Sequence, residues 1–148
     1  MSIAWLNTQS LRNKTAKVCE TTIVDKGLDV LALTETWHSG SDDVCLRLVT
    51  PTGYAVVDVA RTSARGGGVV IIFRKHLKCS RLAVPVCRTM EVICVRLSTV
   101  SGPVIVMNVY RPGSEKPSAL FFDELASVLE TLASYSCPVV VGGDFTGP

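Results

Sequence analysis

The chain has 148 residues and a mass of 15.9 kDa, which is the size of one domain with its own hydrophobic core. Hydrophobic residues make up 47% of it and the mean hydropathy is +0.35, yet the longest wholly apolar run, Val69 to Phe73, is far too short to cross a membrane. The first residues lack the basic flank and apolar core of a signal peptide, so we expect an intracellular protein without a membrane partner.

Cysteine spacing and charge distribution narrow the class of partner. Six cysteines are spread along the chain without any CxxC pair, which argues against a zinc site and favours reduced, mostly buried thiols. The net charge is only +2, but the segment between Asp58 and Glu91 has no acidic residue and seven of the fifteen basic ones. They are Arg61, Arg65, Arg74, Lys75, Lys78, Arg81 and Arg88. Such a segment either follows a phosphate backbone or consists of solvated loop charges, and the count leaves both interpretations open.

The N-terminal third is predicted to run strand, helix, strand. Ile3 to Asn7 has the composition of a short strand. Ser10 or Asn13 can cap a helix whose apolar residues recur at helical spacing up to Gly27. Asp29 to Thr34 then forms the second strand.

The middle of the chain is predicted to consist of β-strands. The polar segment from His38 to Asp43 is expected to be an exposed loop in which the histidine is solvated and is not a general base. Gly53 to Val59 and Gly68 to Phe73 have the pattern of paired strands. Val92 to Leu97 and Val104 to Tyr110 are predicted to form a hairpin.

The C-terminal third is predicted to be a helix followed by a strand. The helix starts at Pro117 and stops before Pro138, and its apolar stripe is expected to pack against a sheet. The stripe contains Phe121, Phe122, Leu125, Val128, Leu129 and Leu132. A final strand from Val139 carries Asp144. Because apolar residues are consecutive in the later strands, both sheet faces must be covered, which predicts an α/β layered sandwich.

Polar side chains follow four of the apolar strands, at Asn7, Glu35, Tyr110 and Asp144. A rigid sheet can aim groups at its strand ends, and carboxylates are the hard oxygen donors that Mg²⁺ prefers, together with water and substrate phosphate. Neutral donors such as the amide and the phenol can stabilise charge that develops on oxygen. Either carboxylate could instead cap a turn or form a surface salt bridge.

The glycine-rich stretch Arg65-Gly-Gly-Gly68 is predicted to be a tight turn or bulge that enters a strand. A phosphate-binding loop would lead into a helix, whereas strand-like residues follow here. Four basic side chains are predicted to contact nucleic acid, namely Arg65, Arg74, Lys75 and Arg111.

Five motifs occur in order along the chain. They are Ile3-Ala-Trp-Leu-Asn7, Leu33-Thr-Glu-Thr-Trp37, Arg65-Gly-Gly-Gly-Val69, Asn108-Val-Tyr-Arg-Pro112 and Gly142-Gly-Asp-Phe145. Together they resemble the endonuclease/exonuclease/phosphatase superfamily and, more narrowly, the apurinic-endonuclease-like domain of non-LTR retrotransposon polyproteins. The resemblance covers residues 1–148 and implies a four-layer, DNase-I-like α/β sandwich that cleaves DNA phosphodiesters with Mg²⁺, with Mn²⁺ as the alternative ion.

The resemblance also implies a role for each strand-end residue. Asn7 would help to hold the phosphate and the metal, Glu35 would ligate the metal, and Tyr110 would stabilise the phosphorane-like transition state. Asp144 would orient or activate the attacking water at the metal. The nick made by a retroelement primes reverse transcription, so DNA and a C-terminal reverse transcriptase are the implied partners and the nucleus is the implied location.

Two departures from the family pattern limit the expected activity. Thr146 stands where the family has asparagine, and a hydroxyl cannot offer the paired donor and acceptor of an amide. The terminal strands that carry the family's aspartate and histidine are also missing, so the sandwich is expected to be incomplete and the chain to be a weak or inactive nuclease. One alternative is a non-catalytic remnant that binds nucleic acid through the basic 61–88 region. Another is a phosphatase of the same superfamily that acts on small molecules or lipids.

Overall fold

A computed structural model of the protein describes residues 1–12, 14–40, 43–60, 67–113 and 116–145, which form two four-stranded sheets and three helices. The first sheet has the order β1-β2-β4-β3, with β1 Ile3–Asn7, β2 Val30–Thr34, β3 Tyr54–Val59 and β4 Val69–Arg74. The second sheet follows chain order, with β5 Cys79–Arg81, β6 Glu91–Thr99, β7 Gly102–Tyr110 and β8 Val139–Asp144. The helices are α1 Lys14–Lys26, α2 Val44–Val49 and α3 Ala119–Ala133.

Three apolar cores separate four layers. The first core joins α1 and α2 to the first sheet, the second lies between the two sheets, and the third joins the second sheet to α3. β2 shows how one strand serves two cores: Leu31 and Leu33 pack toward the helices, whereas Val30 and Ala32 pack between the sheets. Alternate residues of a strand point to opposite faces, so a strand covered on both sides is apolar throughout. The predicted four-layer α/β sandwich is confirmed.

Parallel pairing aligns the strand ends that matter for the site. β1 and β2 run parallel, with Asn7 opposite Thr34, and β7 and β8 run parallel, with Tyr110 opposite Asp144. β4 and β6 are antiparallel to these strands, so both of them begin at the end where the parallel strands finish. In the first sheet the carboxyl ends of β1, β2 and β3 therefore lie beside the start of β4, and in the second sheet the carboxyl ends of β7 and β8 lie beside the start of β6.

The apolar face of α3 is narrower than its sequence predicted. Ser118 caps the helix by accepting the N–H of Phe121, and Phe121, Val128 and Leu132 are buried in the third core. Phe122 is 57% exposed and Leu129 is also exposed, because only one face of a helix can meet the flat sheet. The helices of the described ranges include none that is long and apolar enough to span a membrane.

Two short elements, α2 and β5, were not predicted. α2 has six residues and is capped by Asp43, whose carboxylate accepts the N–H of Cys45 at 2.7 Å. β5 has only three residues, two of them exposed and polar, so it carries no strand pattern of its own. It forms because its backbone pairs with β6, which sequence patterns do not record.

Candidate active site

The four predicted strand-end residues lie together where the two sheets meet. Asn7 ends β1 and Glu35 directly follows β2 in the first sheet, whereas Tyr110 and Asp144 end β7 and β8 in the second. The Asn7 amide nitrogen donates to Oε2 of Glu35 and to Oδ2 of Asp144, at 2.5 Å in both cases. The two carboxylate oxygens are therefore separated by no more than twice that distance. One amide joins acidic groups from both sheets.

The orientation of the Asn7 amide indicates what this side chain does in the site. Its oxygen accepts the N–H of Gln9 at 3.2 Å, so its nitrogen is the atom that faces Glu35 and Asp144. An uncharged donor between two carboxylates offsets part of their mutual repulsion. Asn7 thus orients Glu35 and Asp144, which we call the acidic pair. The role of Asn7 as a metal ligand stays a prediction, because the amide would have to rotate to direct its oxygen at the ion.

Tyr110 is buried beside the acidic pair and keeps its proton. Burial, followed by the negative charge of Glu35 and a hydrogen bond donated to it, raises the pKa of Tyr110 to about 12, and Asp144 adds to the effect. The phenol is therefore neutral across the physiological pH range and can donate a hydrogen bond.

Glu91 is a site residue that the sequence analysis missed. It starts β6 directly opposite Tyr110, and its carboxylate accepts the N–H of Gly68 at 2.9 Å. Burial raises the pKa of Glu91. A Cβ on Gly67 would lie 2.5 Å from the same carboxylate, so the glycines permit its approach. The sequence did contain a signal for Glu91: a single acidic residue at the start of an apolar strand, with glycines earlier in the chain.

His38 is buried, so the expected exposed loop at 38–43 was wrong at its first residue. Its imidazole is only 1% exposed and contacts Thr36 and Asp58. The chain after β2 turns inward over the start of β4, where Trp37 N–H donates to the carbonyl of Gly67 at 3.0 Å. This long-range contact encloses a residue whose polar neighbours in sequence suggested exposure.

The basic residues predicted to contact nucleic acid lie in different places. Arg111 is 7% exposed; its guanidinium donates to the carbonyl of Phe145 and lies 5.8 Å from the ring centre of Phe121. Its backbone N–H also donates to the carbonyl of Asp144 at 2.8 Å, so Arg111 supports the strand end that carries Asp144. Arg65, like the altered family position Thr146, lies outside the described residues.

Arg74 and Lys75 lie at the opposite end of the first sheet from Glu35, because β4 begins near the site and finishes at Arg74. Arg74 pairs with Asp29 at 2.8 Å and lies over the ring of Tyr54. The structure does not bring these two basic residues to the acidic pair.

A cavity of about 500 Å³ opens next to Tyr110 and Glu91. Residues 82–87 form its apolar wall, and Arg81 and Arg88 add basic groups to its lining. A space of this size can receive a group of a bound ligand beside Tyr110.

The donor set fits a hard divalent cation better than zinc. In the described ranges no group of three or more His, Cys, Asp and Glu side chains is arranged to hold a metal. Glu35 and Asp144 do provide two converging carboxylates. Mg²⁺ commonly takes one or two carboxylates and completes its octahedron with water and phosphate, whereas zinc sites need three or four protein ligands.

Two sheets between helical layers, with an acidic site at the strand ends, define the DNase-I-like class of α/β proteins. Residues 4–145 match the model of the Endonuclease/Exonuclease/phosphatase family. The chain belongs to this family of phosphodiesterases and endonucleases, whose members generally depend on a divalent metal ion. The superfamily resemblance seen in the five motifs is confirmed.

Solved structures share the fold at low sequence identity. The AP endonuclease LMAP from Leishmania major has a TM-score of 0.64 and 20% identity, over 95% of this chain and 53% of its own. ANGEL2, a 2',3'-cyclic phosphatase, has a TM-score of 0.68 and 19% identity, over 97% and 52%. The endonuclease domain of TRAS1, a telomere-specific non-LTR retrotransposon, has a TM-score of 0.65 and 12% identity, over 95% and 56%.

The chain spans little more than half the length of these three structures. At such identities the likeness shows the fold alone. No curated protein matches the sequence.

Proposed function

We propose that the chain is the N-terminal part of a magnesium-dependent DNA endonuclease domain of the non-LTR retrotransposon type. The observation that carries this proposal is the convergence of Glu35 and Asp144 on Asn7, with the protonated Tyr110 beside them. Family membership supports phosphodiester chemistry, and the fold shared with an AP endonuclease and a retrotransposon endonuclease supports DNA as the substrate.

Each side chain has a role that its surroundings support. Glu35 and Asp144 would hold the divalent ion, which would supply positive charge for phosphodiester cleavage. Asn7 keeps the two carboxylates in place. Tyr110 donates its O–H toward a phosphate oxygen as negative charge develops there, and Asp144 also orients the attacking water.

The chain by itself is proposed to be a slow nuclease. In the described part of the chain neither histidine faces the acidic pair, because His38 is enclosed and His76 lies near Arg74 at the far end. General acid-base groups contribute roughly 10²- to 10⁴-fold in rate. The relatives' additional length is proposed to supply this group, as well as the link to a reverse transcriptase and a nuclear location.

Nicking of supercoiled plasmid by the purified chain in Mg²⁺ tests the proposal. We expect slow nicking that EDTA abolishes and that Glu35→Gln and Asp144→Asn each reduce at least about 100-fold. Asp123→Asn, on an exposed position of α3, is the matched control and should leave the rate unchanged. Nicking that survives EDTA or Glu35→Gln would contradict the assignment.

Binding to nucleic acid without cleavage is the second candidate. It is favoured by Arg81 and Arg88, which are exposed beside the cavity next to Tyr110. Affinity carried by phosphate contacts should fall steeply with salt and should not change in Glu35→Gln.

The fold shared with the cyclic phosphatase ANGEL2 also favours small phosphodiesters as substrates. Hydrolysis of a 2',3'-cyclic nucleotide in the same assay series tests that function.

A further inference from the structure

The turn that follows β2 carries Glu35 into the site with a strained backbone. Glu35 and Trp37 both adopt left-handed φ angles, of 52° and 56°, which residues with side chains rarely take. On one side, Ser10 N–H donates to the carbonyl of Glu35 at 2.7 Å. On the other side, Trp37 N–H donates to the carbonyl of Gly67. A conformation of this kind persists only where its surroundings stabilise it.

His38 lies at the end of this turn and uses both of its ring nitrogens. Nε2 is 2.9 Å from Oδ2 of Asp58 in β3, and Nδ1 is 2.5 Å from Oγ1 of Thr36. A carboxylate only accepts, so Nε2 donates to Asp58, and Nδ1 shares a second hydrogen bond with the hydroxyl of Thr36. The two contacts connect the turn to the edge of the sheet.

The rest of the molecule makes room for this pair. A Cβ on Gly68 would lie 2.4 Å from Oγ1 of Thr36 and 3.0 Å from Nδ1 of His38, so only glycine fits there. Behind the pair, the guanidinium of Arg81 donates to the Asp58 carbonyl at 3.0 Å. Asp58 of β3 and Gly68, just before β4, thus border the His38 ring, and Arg81 of β5 holds Asp58 in turn.

We propose that His38, through Asp58 and Thr36, is a positioning residue that holds the turn after β2 and thereby sets the place of Glu35. The proposal rests on the proposed function of Glu35 as a metal ligand. Groups that orient metal ligands typically contribute roughly 10- to 100-fold in metal affinity. A histidine that only filled space would not affect metal affinity once its volume was replaced.

The experiment measures Mn²⁺ affinity and hydrogen exchange on the full chain and three variants. His38→Phe keeps the volume but removes both hydrogen bonds, whereas His38→Gln retains an amide donor that reaches toward Asp58. His76→Phe makes the same chemical change at the other, exposed histidine and is the matched control. Thermal melts of all four proteins establish that they fold.

The expected result is Mn²⁺ binding about tenfold weaker or more in His38→Phe, largely restored in His38→Gln and unchanged in His76→Phe. Exchange of the backbone amides of Thr36 and Trp37 should accelerate in His38→Phe, while α3 stays protected. Wild-type affinity in a folded His38→Phe would overturn the proposal.

Two further outcomes are a variant that does not fold and a wild-type chain that does not bind Mn²⁺. If His38→Phe does not fold, Asp58→Ala, which removes the acceptor for Nε2, replaces it, and unchanged Mn²⁺ affinity in that variant would overturn the proposal. If the wild-type chain binds no Mn²⁺, the proposed function fails. The exchange data then still decide the positioning role, because equal protection of Thr36 and Trp37 in wild type and His38→Phe would refute it.

Discussion

Asn7 is the residue on which the two halves of the site depend. Its amide nitrogen is shared by Glu35 of the first sheet and Asp144 of the second, so a single side chain sets the separation of two like charges. Carboxylates this close repel each other unless a donor or a cation lies between them. Asn7 therefore links the separation of the two carboxylates to the packing of the two sheets.

Asn7→Ala should lower the free energy of unfolding by roughly 1–3 kcal/mol in EDTA, because two hydrogen bonds to charged acceptors are lost and the repulsion remains. Mg²⁺ should restore part of the loss, since a cation between Glu35 and Asp144 replaces the missing donor. Urea unfolding with EDTA and with Mg²⁺ measures both effects. Equal stability of the variant and the wild type in EDTA would contradict the prediction.

Asp29 gives a second prediction at the scale of the residue. The N–H of Ser2 and then Arg74 hold the pKa of Asp29 below its usual value, although partial burial opposes them. A lowered folded-state pKa stabilises the protein above the unfolded value of about 3.9, and this stabilisation is lost as pH falls through the folded-state pKa. Asp29→Asn should therefore cost roughly 1 kcal/mol at pH 7.

The cost of Asp29→Asn should shrink toward zero as pH falls below about 4. Chemical denaturation at a series of pH values measures this difference. Asp123→Asn controls for the loss of one charge on an exposed surface. A cost that stayed constant down to the most acidic condition would show that the charge of Asp29 is not its source.

At the scale of the element, β8 carries Asp144 because its glycines let it approach its neighbours closely. A Cβ on Gly142 would lie 2.3 Å from the ring of Trp5, and one on Gly143 would lie 1.9 Å from the carbonyl oxygen of Val109. The two glycines that precede Asp144 are therefore packing requirements of the strand as well as turn residues.

Gly143→Ala should destabilise the chain by about 3 kcal/mol or more, because its φ of 136° is unfavourable and the new methyl group meets backbone. Gly102→Ala is the matched control: its φ is 116°, but nothing lies within 4 Å of the added Cβ. That variant should lose only about 1 kcal/mol. Similar losses in the two variants, measured by urea denaturation, would show that β7 and β8 are not closely packed.

At the scale of the whole molecule, β8 is the last strand of its sheet and pairs on one side only within the described ranges. Apolar side chains are exposed on β1, α3 and β8, namely Leu6, Leu120, Phe122 and Val141. An open strand edge with apolar groups on the surface favours association with other chains.

The isolated chain should self-associate through the β8 edge, and Val141→Lys should reduce this association because it places a charge on an open strand. Val100→Lys makes the same change at a fully exposed position in the β6–β7 turn and controls for net charge. Sedimentation velocity over a range of protein concentrations measures the effect. Equal association in both variants would place the contact elsewhere.

Strands and the candidate site were predictable from sequence to different extents. The β4 run Val69–Arg74 and the Tyr110 strand carry strong local patterns, so their existence and pairing were correctly expected. β5 and α2 were missed because elements of three and six residues depend on neighbours for their stability. The strand-end position of Asp144 was also readable, since glycines mark the end of its apolar run.

The sequence by itself determined which polar groups end the apolar strands, because an apolar run and its final polar residue are local features. Only the tertiary structure decided that Asn7 bridges Glu35 and Asp144, that Glu91 faces Tyr110 and that His38 is buried. It also placed Arg74 at the far end of the first sheet and Arg111 against the backbone of Asp144 and Phe145. Each of these features comes from contacts between segments that are far apart in the sequence. A local pattern does not give the free energy of such a contact, because that free energy depends on which two segments meet.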